Sequence, residues 1–106
     1  MAQATLSTHV LDTTDGVPAA GVEVTLYRDG TLAASGTTGK DGRVAQLGDD
    51  HPAGTYRLVF DVGAYFRSRQ LDTFLGVVIL EVRLKDGHQH IPLLVSRYGI
   101  VSYLGS

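Results

Sequence analysis

Four Asp-Gly dipeptides, at Asp15-Gly16, Asp29-Gly30, Asp41-Gly42 and Asp86-Gly87, recur along this chain together with a Pro52-Ala53-Gly54 turn. Asp-Gly favours the positive φ angles of tight hairpins, where most other residues are strained. What lies between these turns is mostly short alternating runs. Val22, Val24 and Leu26 alternate with Glu23, Thr25 and Tyr27, and Tyr56, Leu58 and Phe60 alternate with Arg57 and Asp61. A period of two is the mark of a half-buried strand. Short strands punctuated by turns predict a β-sandwich.

The same reading predicts strands over residues 77–84, 88–96 and 101–106, shorter ones over 6–11 and 31–35, and an eighth over 43–47. In the 77–84 run Val78, Leu80, Val82 and Leu84 share one face, and Glu81 and Arg83 lie on the other. A turn around Arg97-Tyr98-Gly99 separates the last two strands. One helix of about two turns is expected over residues 64–70. The fold class is all-β, and 106 residues without repeats or linkers read as a single domain, 1–106.

Composition narrows the functions. Formal net charge is −2 with no basic run, which argues against nucleic acid. There is no cysteine, so disulfides, a thiol nucleophile and thiolate metal sites are excluded. No apolar stretch is long enough to cross a bilayer. The opening Met1-Ala2-Gln3-Ala4-Thr5 lacks the pattern of a secretory signal, so the expectation is a cytoplasmic protein.

The polar residues able to carry chemistry are His9, Arg43, His88, His90 and Ser106. His88 and His90 share strand parity and so face one side with Pro92 and Leu94. Imidazole exchanges protons near neutral pH, and an arginine beside it stabilises a developing oxyanion. His-x-His is also a metal pair, but it supplies two ligands where zinc takes at least three from protein. A strand histidine can equally be a half-exposed polar residue, and Arg43 can simply solvate a turn. Pattern alone therefore reaches a β-sandwich with a candidate His/Arg site.

A resemblance extends this. Leu6-Ser7-Thr8-His9-Val10-Leu11-Asp12 with Gly16-Val17-Pro18-Ala19-Ala20-Gly21-Val22, then Thr38-Gly39-Lys40-Asp41-Gly42-Arg43, Gly54-Thr55-Tyr56-Arg57-Leu58, Gly63-Ala64-Tyr65-Phe66 and His88-Gln89-His90-Ile91-Pro92-Leu93-Leu94 resemble, in order, the motifs of the 5-hydroxyisourate hydrolases of the transthyretin-related family. The ending Tyr103-Leu104-Gly105-Ser106 resembles that family's Tyr-Arg-Gly-Ser. The resemblance implies a transthyretin-like β-sandwich of two four-stranded sheets with one short helix. It implies a homotetramer, a dimer of dimers, whose active sites line a central channel. It also implies hydrolysis of 5-hydroxyisourate to 2-oxo-4-hydroxy-4-carboxy-5-ureidoimidazoline without metal or cofactor. Carried over by motif, the catalytic residues are His9, Arg43, His90 and Ser106, with Tyr103 and Arg43 contacting substrate and His88 supporting. His90 would be the general base, His9 would orient water or substrate, Arg43 would stabilise the oxyanion, and Ser106 would offer its hydroxyl or carboxylate.

The chain departs from the family pattern at Gly76, Val77, Arg97, Ile100, Val101 and Leu104, on strands that in the family form subunit contacts. By parity Val101 shares a face with Tyr103, and Leu104 points the other way. The expectation is an altered assembly surface around an intact catalytic set. Two other readings stand beside the enzyme: a transthyretin-like carrier of a small ligand, and a scaffold changed at its interfaces, with little or no activity.

Overall fold

A computed structural model describes residues 2–106. Ten strands and one helix follow in the order β1 (Gln3–Asp12), β2 (Val17–Pro18), β3 (Glu23–Arg28), β4 (Thr31–Thr37), β5 (Arg43–Val44), β6 (His51–Pro52), β7 (Gly54–Phe60), α1 (Val62–Arg67), β8 (Val78–Leu84), β9 (Gly87–Ser96) and β10 (Gly99–Ser102). One sheet has the order β4-β3-β7-β8 and is antiparallel throughout. The other runs β10-β9-β1-β2, with β1 and β9 parallel, and β5 and β6 also pair with β1.

The second sheet thus has six strands where four were expected. The reason is the length of β1. Its ten residues outrun any single hairpin partner, so three two-residue strands cover its free edge in turn: β6 at Gln3 and Ala4, β5 at Thr8 and His9, β2 at Leu11 and Asp12. Pairing in pieces satisfies backbone groups along an otherwise open edge.

The core is the apolar inner faces of both sheets. Ala4, Leu6 and Val10 from β1 and Ile91, Leu93 and Val95 from β9 pack against Val24, Leu26, Tyr56, Leu58 and Phe60. Each fully buried aliphatic or aromatic side chain of this kind contributes about 1.5–3 kcal/mol. A one-residue slip of β1 against β9 would move Ser7 and His9 into the core and Leu6 and Val10 out of it, so burial fixes the register. Thr8, polar but fully buried among these residues, donates its hydroxyl to the Ile91 carbonyl at 2.6 Å.

The helix begins two residues earlier than expected and ends at Arg67. Asp61 caps it, accepting from the Ala64 N–H at 3.1 Å. Gly63 reads as a breaker, yet here its N–H donates to the Gly76 carbonyl at 2.7 Å, and a Cβ would come within 2.8 Å of that oxygen. The chain leaves the helix through Gln70 at φ +59°. The strand expected over 43–47 stops at Val44, and that expected over 101–106 stops at Ser102. The Asp29-Gly30 turn behaves as read: both residues have positive φ, and Arg28 and Thr31 pair across it.

Candidate active site

Because β1 and β9 run parallel in fixed register, the polar residues that alternate with the core residues of both strands meet on the outer face of the sheet. Thr5 pairs with His88, Ser7 with His90, and His9 with Pro92. On the other side of β1, His9 pairs with Arg43 of β5. Three sequence-distant segments therefore bring His9, Arg43 and His90 to adjoining positions.

Both histidine side chains are held by short bonds, and Arg43 is held through its backbone. His9 Nε2–H donates to the Asp41 carbonyl at 2.8 Å. A carbonyl only accepts, so Nε2 carries a proton, and in the neutral ring Nδ1 is then the acceptor. Arg43 leaves the Asp41-Gly42 turn with its N–H donating to Asp41 Oδ1 at 3.0 Å. Its guanidinium enters no ion pair among the described residues, where the one ion pair joins Arg57 and Glu81. His90 Nδ1 lies 2.7 Å from Ser7 Oγ, which also lies 2.9 Å from His88 Nε2. Thr5 Oγ1 completes the chain at 2.6 Å from His88 Nδ1.

Partial burial, then the neighbouring Arg43 charge and the His9 and His88 rings, hold His90 below the ordinary histidine value. The neutral form of His90 is thus favoured, and Nε2 has no intrachain hydrogen bond among the described residues.

The chain end is tied here as well, by a single bridge and not by a strand. The Gly105 N–H donates to the His90 carbonyl at 2.8 Å. A Cβ on Gly105 would lie 2.8 Å from His90 Cδ2, so only glycine lets the terminal segment pass beside that ring. Ser106, exposed, follows immediately. Tyr103 is placed differently. It lines a cleft of about 440 Å³ with Ile79, Leu84, Gln89, Ile91 and Leu104. Gln89 and Ile91 alternate with His88 and His90, so this cleft opens on the other side of β9. A second cleft of about 530 Å³, between Tyr27, Tyr56, Val59, Ile79 and Glu81, also lies away from the histidines. Among the described residues no three His, Asp or Glu side chains are grouped to hold a metal ion.

Sequence reading missed Thr5 and Ser7. Their parity with His9 on one strand was visible, but the pairing of that strand with the histidine strand was not.

The fold is a transthyretin-like sandwich, and one sheet carries His9, His88, His90 and Arg43, whose guanidinium is outside any ion pair among the described residues, on its outer face. Residues 6–105 match the model of the HIUase/Transthyretin family, and the chain belongs to that family. It is 41% identical over 109 residues to the 5-hydroxyisourate hydrolase of Salmonella typhimurium, covering 95% of this chain and 80% of that one. The structure of Klebsiella pneumoniae 5-hydroxyisourate hydrolase superposes with a TM-score of 0.92 at 37% identity, over 96% of this chain and 99% of that one. Transthyretin from Sparus aurata superposes with a TM-score of 0.87 at 28% identity, over 94% and 95%.

Proposed function

We propose that this protein is a 5-hydroxyisourate hydrolase acting without metal or cofactor, yielding 2-oxo-4-hydroxy-4-carboxy-5-ureidoimidazoline. The observation that carries the reading is the convergence of two hydrogen-bonded imidazoles, His9 and His90, and an arginine outside any ion pair among the described residues on one face. A carrier has no need of proton-transfer groups beside a guanidinium. The greater similarity to hydrolases than to a transthyretin points the same way.

In this mechanism His90 Nε2 takes a proton from water as the water oxygen bonds to the ring amide carbon. His9 Nδ1 accepts a hydrogen bond from the water or from a substrate N–H. Arg43 faces the oxygen that becomes negative and stabilises it. As the C–N bond breaks, the proton on His90 Nε2 passes to the leaving nitrogen. Ser106, which follows the Gly105 bridge to His90, offers its hydroxyl to the substrate. Tyr103 faces the cleft and is given no part at the imidazoles.

The site is an open platform on one chain, so a second copy is needed to enclose substrate. The proposed assembly is the homotetramer, a dimer of dimers, with these platforms lining the space between dimers. The test of the activity is an ultraviolet assay of freshly generated 5-hydroxyisourate. The chain is expected to accelerate its decay, and His90→Ala to lose about 100-fold or more of that acceleration. Decay at the spontaneous rate with the unsubstituted chain would reject the reading.

A further inference from the structure

The hydrogen-bonded row Thr5–His88–Ser7–His90 crosses two strands from a half-buried ring to an exposed one, at 2.6, 2.9 and 2.7 Å. Every atom in it can both give and receive a proton. Two arrangements satisfy all three bonds. In one, His90 Nδ1–H donates to Ser7, Ser7 O–H to His88 Nε2, and His88 Nδ1–H to Thr5. In the other, each donor and acceptor is exchanged. Nothing in the fold requires this row, because the backbone pairing of β1 and β9 is complete without it.

We propose that Thr5, Ser7 and His88 form a proton relay between Nδ1 of His90 and solvent, with His88 as its central positioning residue. The inference rests on the reading of His90 as general base. That base stands beside the Arg43 charge, where an imidazolium is disfavoured, so it gains strength if one proton leaves as another arrives. In the first arrangement Nε2 is free. When Nε2 takes the proton of the attacking water, the Nδ1 proton moves to Ser7 Oγ, the Ser7 proton to His88 Nε2, and the His88 Nδ1 proton to Thr5 Oγ1, whose own hydroxyl proton passes to water. His90 stays neutral. When the C–N bond breaks, Nε2–H passes to the leaving nitrogen and one proton returns along the row to Nδ1, which restores the first arrangement. One proton out and one in leave the row unchanged. The second proton of the attacking water is lost to solvent when the product acid ionises.

Glutamine at position 88 separates relay from support. Its amide oxygen can accept from Ser7 and its amide N–H donate to Thr5, as His88 does in the first arrangement, so it preserves the bonds, but it cannot transfer a proton. His88→Gln is expected to lower kcat about 10-fold with KM little changed, and to convert a curved proton inventory in mixed light and heavy water into a linear one. Ser7→Ala is expected to do the same, and the double variant to be no worse than either single one. Unaltered kcat and inventory in His88→Gln would overturn the relay, as would loss in His88→Ala with full recovery in His88→Gln. The His90→Ala control keeps the two ideas apart. An inactive His90→Ala beside a fully active His88→Gln rejects the relay alone, and an active His90→Ala rejects the general-base reading beneath it.

Discussion

At the scale of single residues, the site is governed by how each imidazole is pinned. His9 is fixed by a backbone carbonyl and His90 by a hydroxyl, so one tautomer is set and the other is free to exchange. The lowered pKa of His90 has a defined sign. Above the ordinary value of 6.5 the ring is neutral in both folded and unfolded chains. As pH falls below it, the unfolded chain takes up the proton first, and the stability associated with the neutral ring is lost as pH falls through the folded pKa. The acid limb of kcat/KM should accordingly lie below 6.5. Arg43→Gln removes one cause of the shift and leaves burial, the larger cause, in place. Its expected result is a partial rise of the His90 titration point, read by NMR, with kcat/KM reduced about 100-fold. An unmoved titration point would mean that the Arg43 charge does not act on His90.

Among elements, the Asp41-Gly42 turn matters most to the site, since it presents both the carbonyl that holds His9 and the backbone that launches Arg43. Gly42 has φ +77°, and a Cβ there would fall on the Val10 carbonyl oxygen and 3.2 Å from Ala19 N. Gly30, at φ +76°, has open space around it in the β3–β4 hairpin. Gly30→Ala carries backbone strain alone, about 1 kcal/mol, and should retain activity. Gly42→Ala adds the collision, for a loss of about 3 kcal/mol or more in thermal unfolding, and should lose activity with it. Equal effects of the two substitutions would contradict this account. The same element marks a limit of sequence reading. Apolar alternation announced β3, β7 and β8, and the run over 43–47 marked β5, of which only Arg43 and Val44 pair; β2 and β6 are two residues long and exist only because β1 offers an unpaired edge. No local pattern encodes them.

At the scale of the whole molecule, the positions that depart from the family pattern divide in two. Gly76 and Arg97 are engaged within the chain. The Gly76 carbonyl holds the start of α1, and Arg97 Nε–H donates to the Asp72 carbonyl at 2.6 Å, tying the segment before β8 to the β9–β10 turn. Val77, Ile100, Val101 and Leu104 are exposed, Val101 by 58% and Leu104 by 72%. Apolar side chains grouped near the edge strands β8 and β10 favour burial against another copy. A tetramer is the expected species in size-exclusion with light scattering. Val101→Asp combined with Leu104→Asp should shift it to smaller species, with activity falling in step because each platform loses its cover. A monomer of the unsubstituted chain at micromolar concentration would sink the assembly proposal.

The sequence by itself determined the class of fold, most of the long strands, the turn at Asp29-Gly30 and the identity of the histidines and arginine, because strand period and Asp-Gly chemistry act over a few neighbouring residues. The tertiary structure decided where α1 begins, since the Gly76 carbonyl that supports Gly63 lies outside the helix. It decided that the chain end is tied by one Gly105 bond in place of a strand. It also decided that Thr5 and Ser7 stand beside His88 and His90. That last juxtaposition depends on two parallel strands some 80 residues apart coming into one register. Burial of Leu6 and Val10 against the opposite sheet sets that register, and no local pattern in either strand contains it.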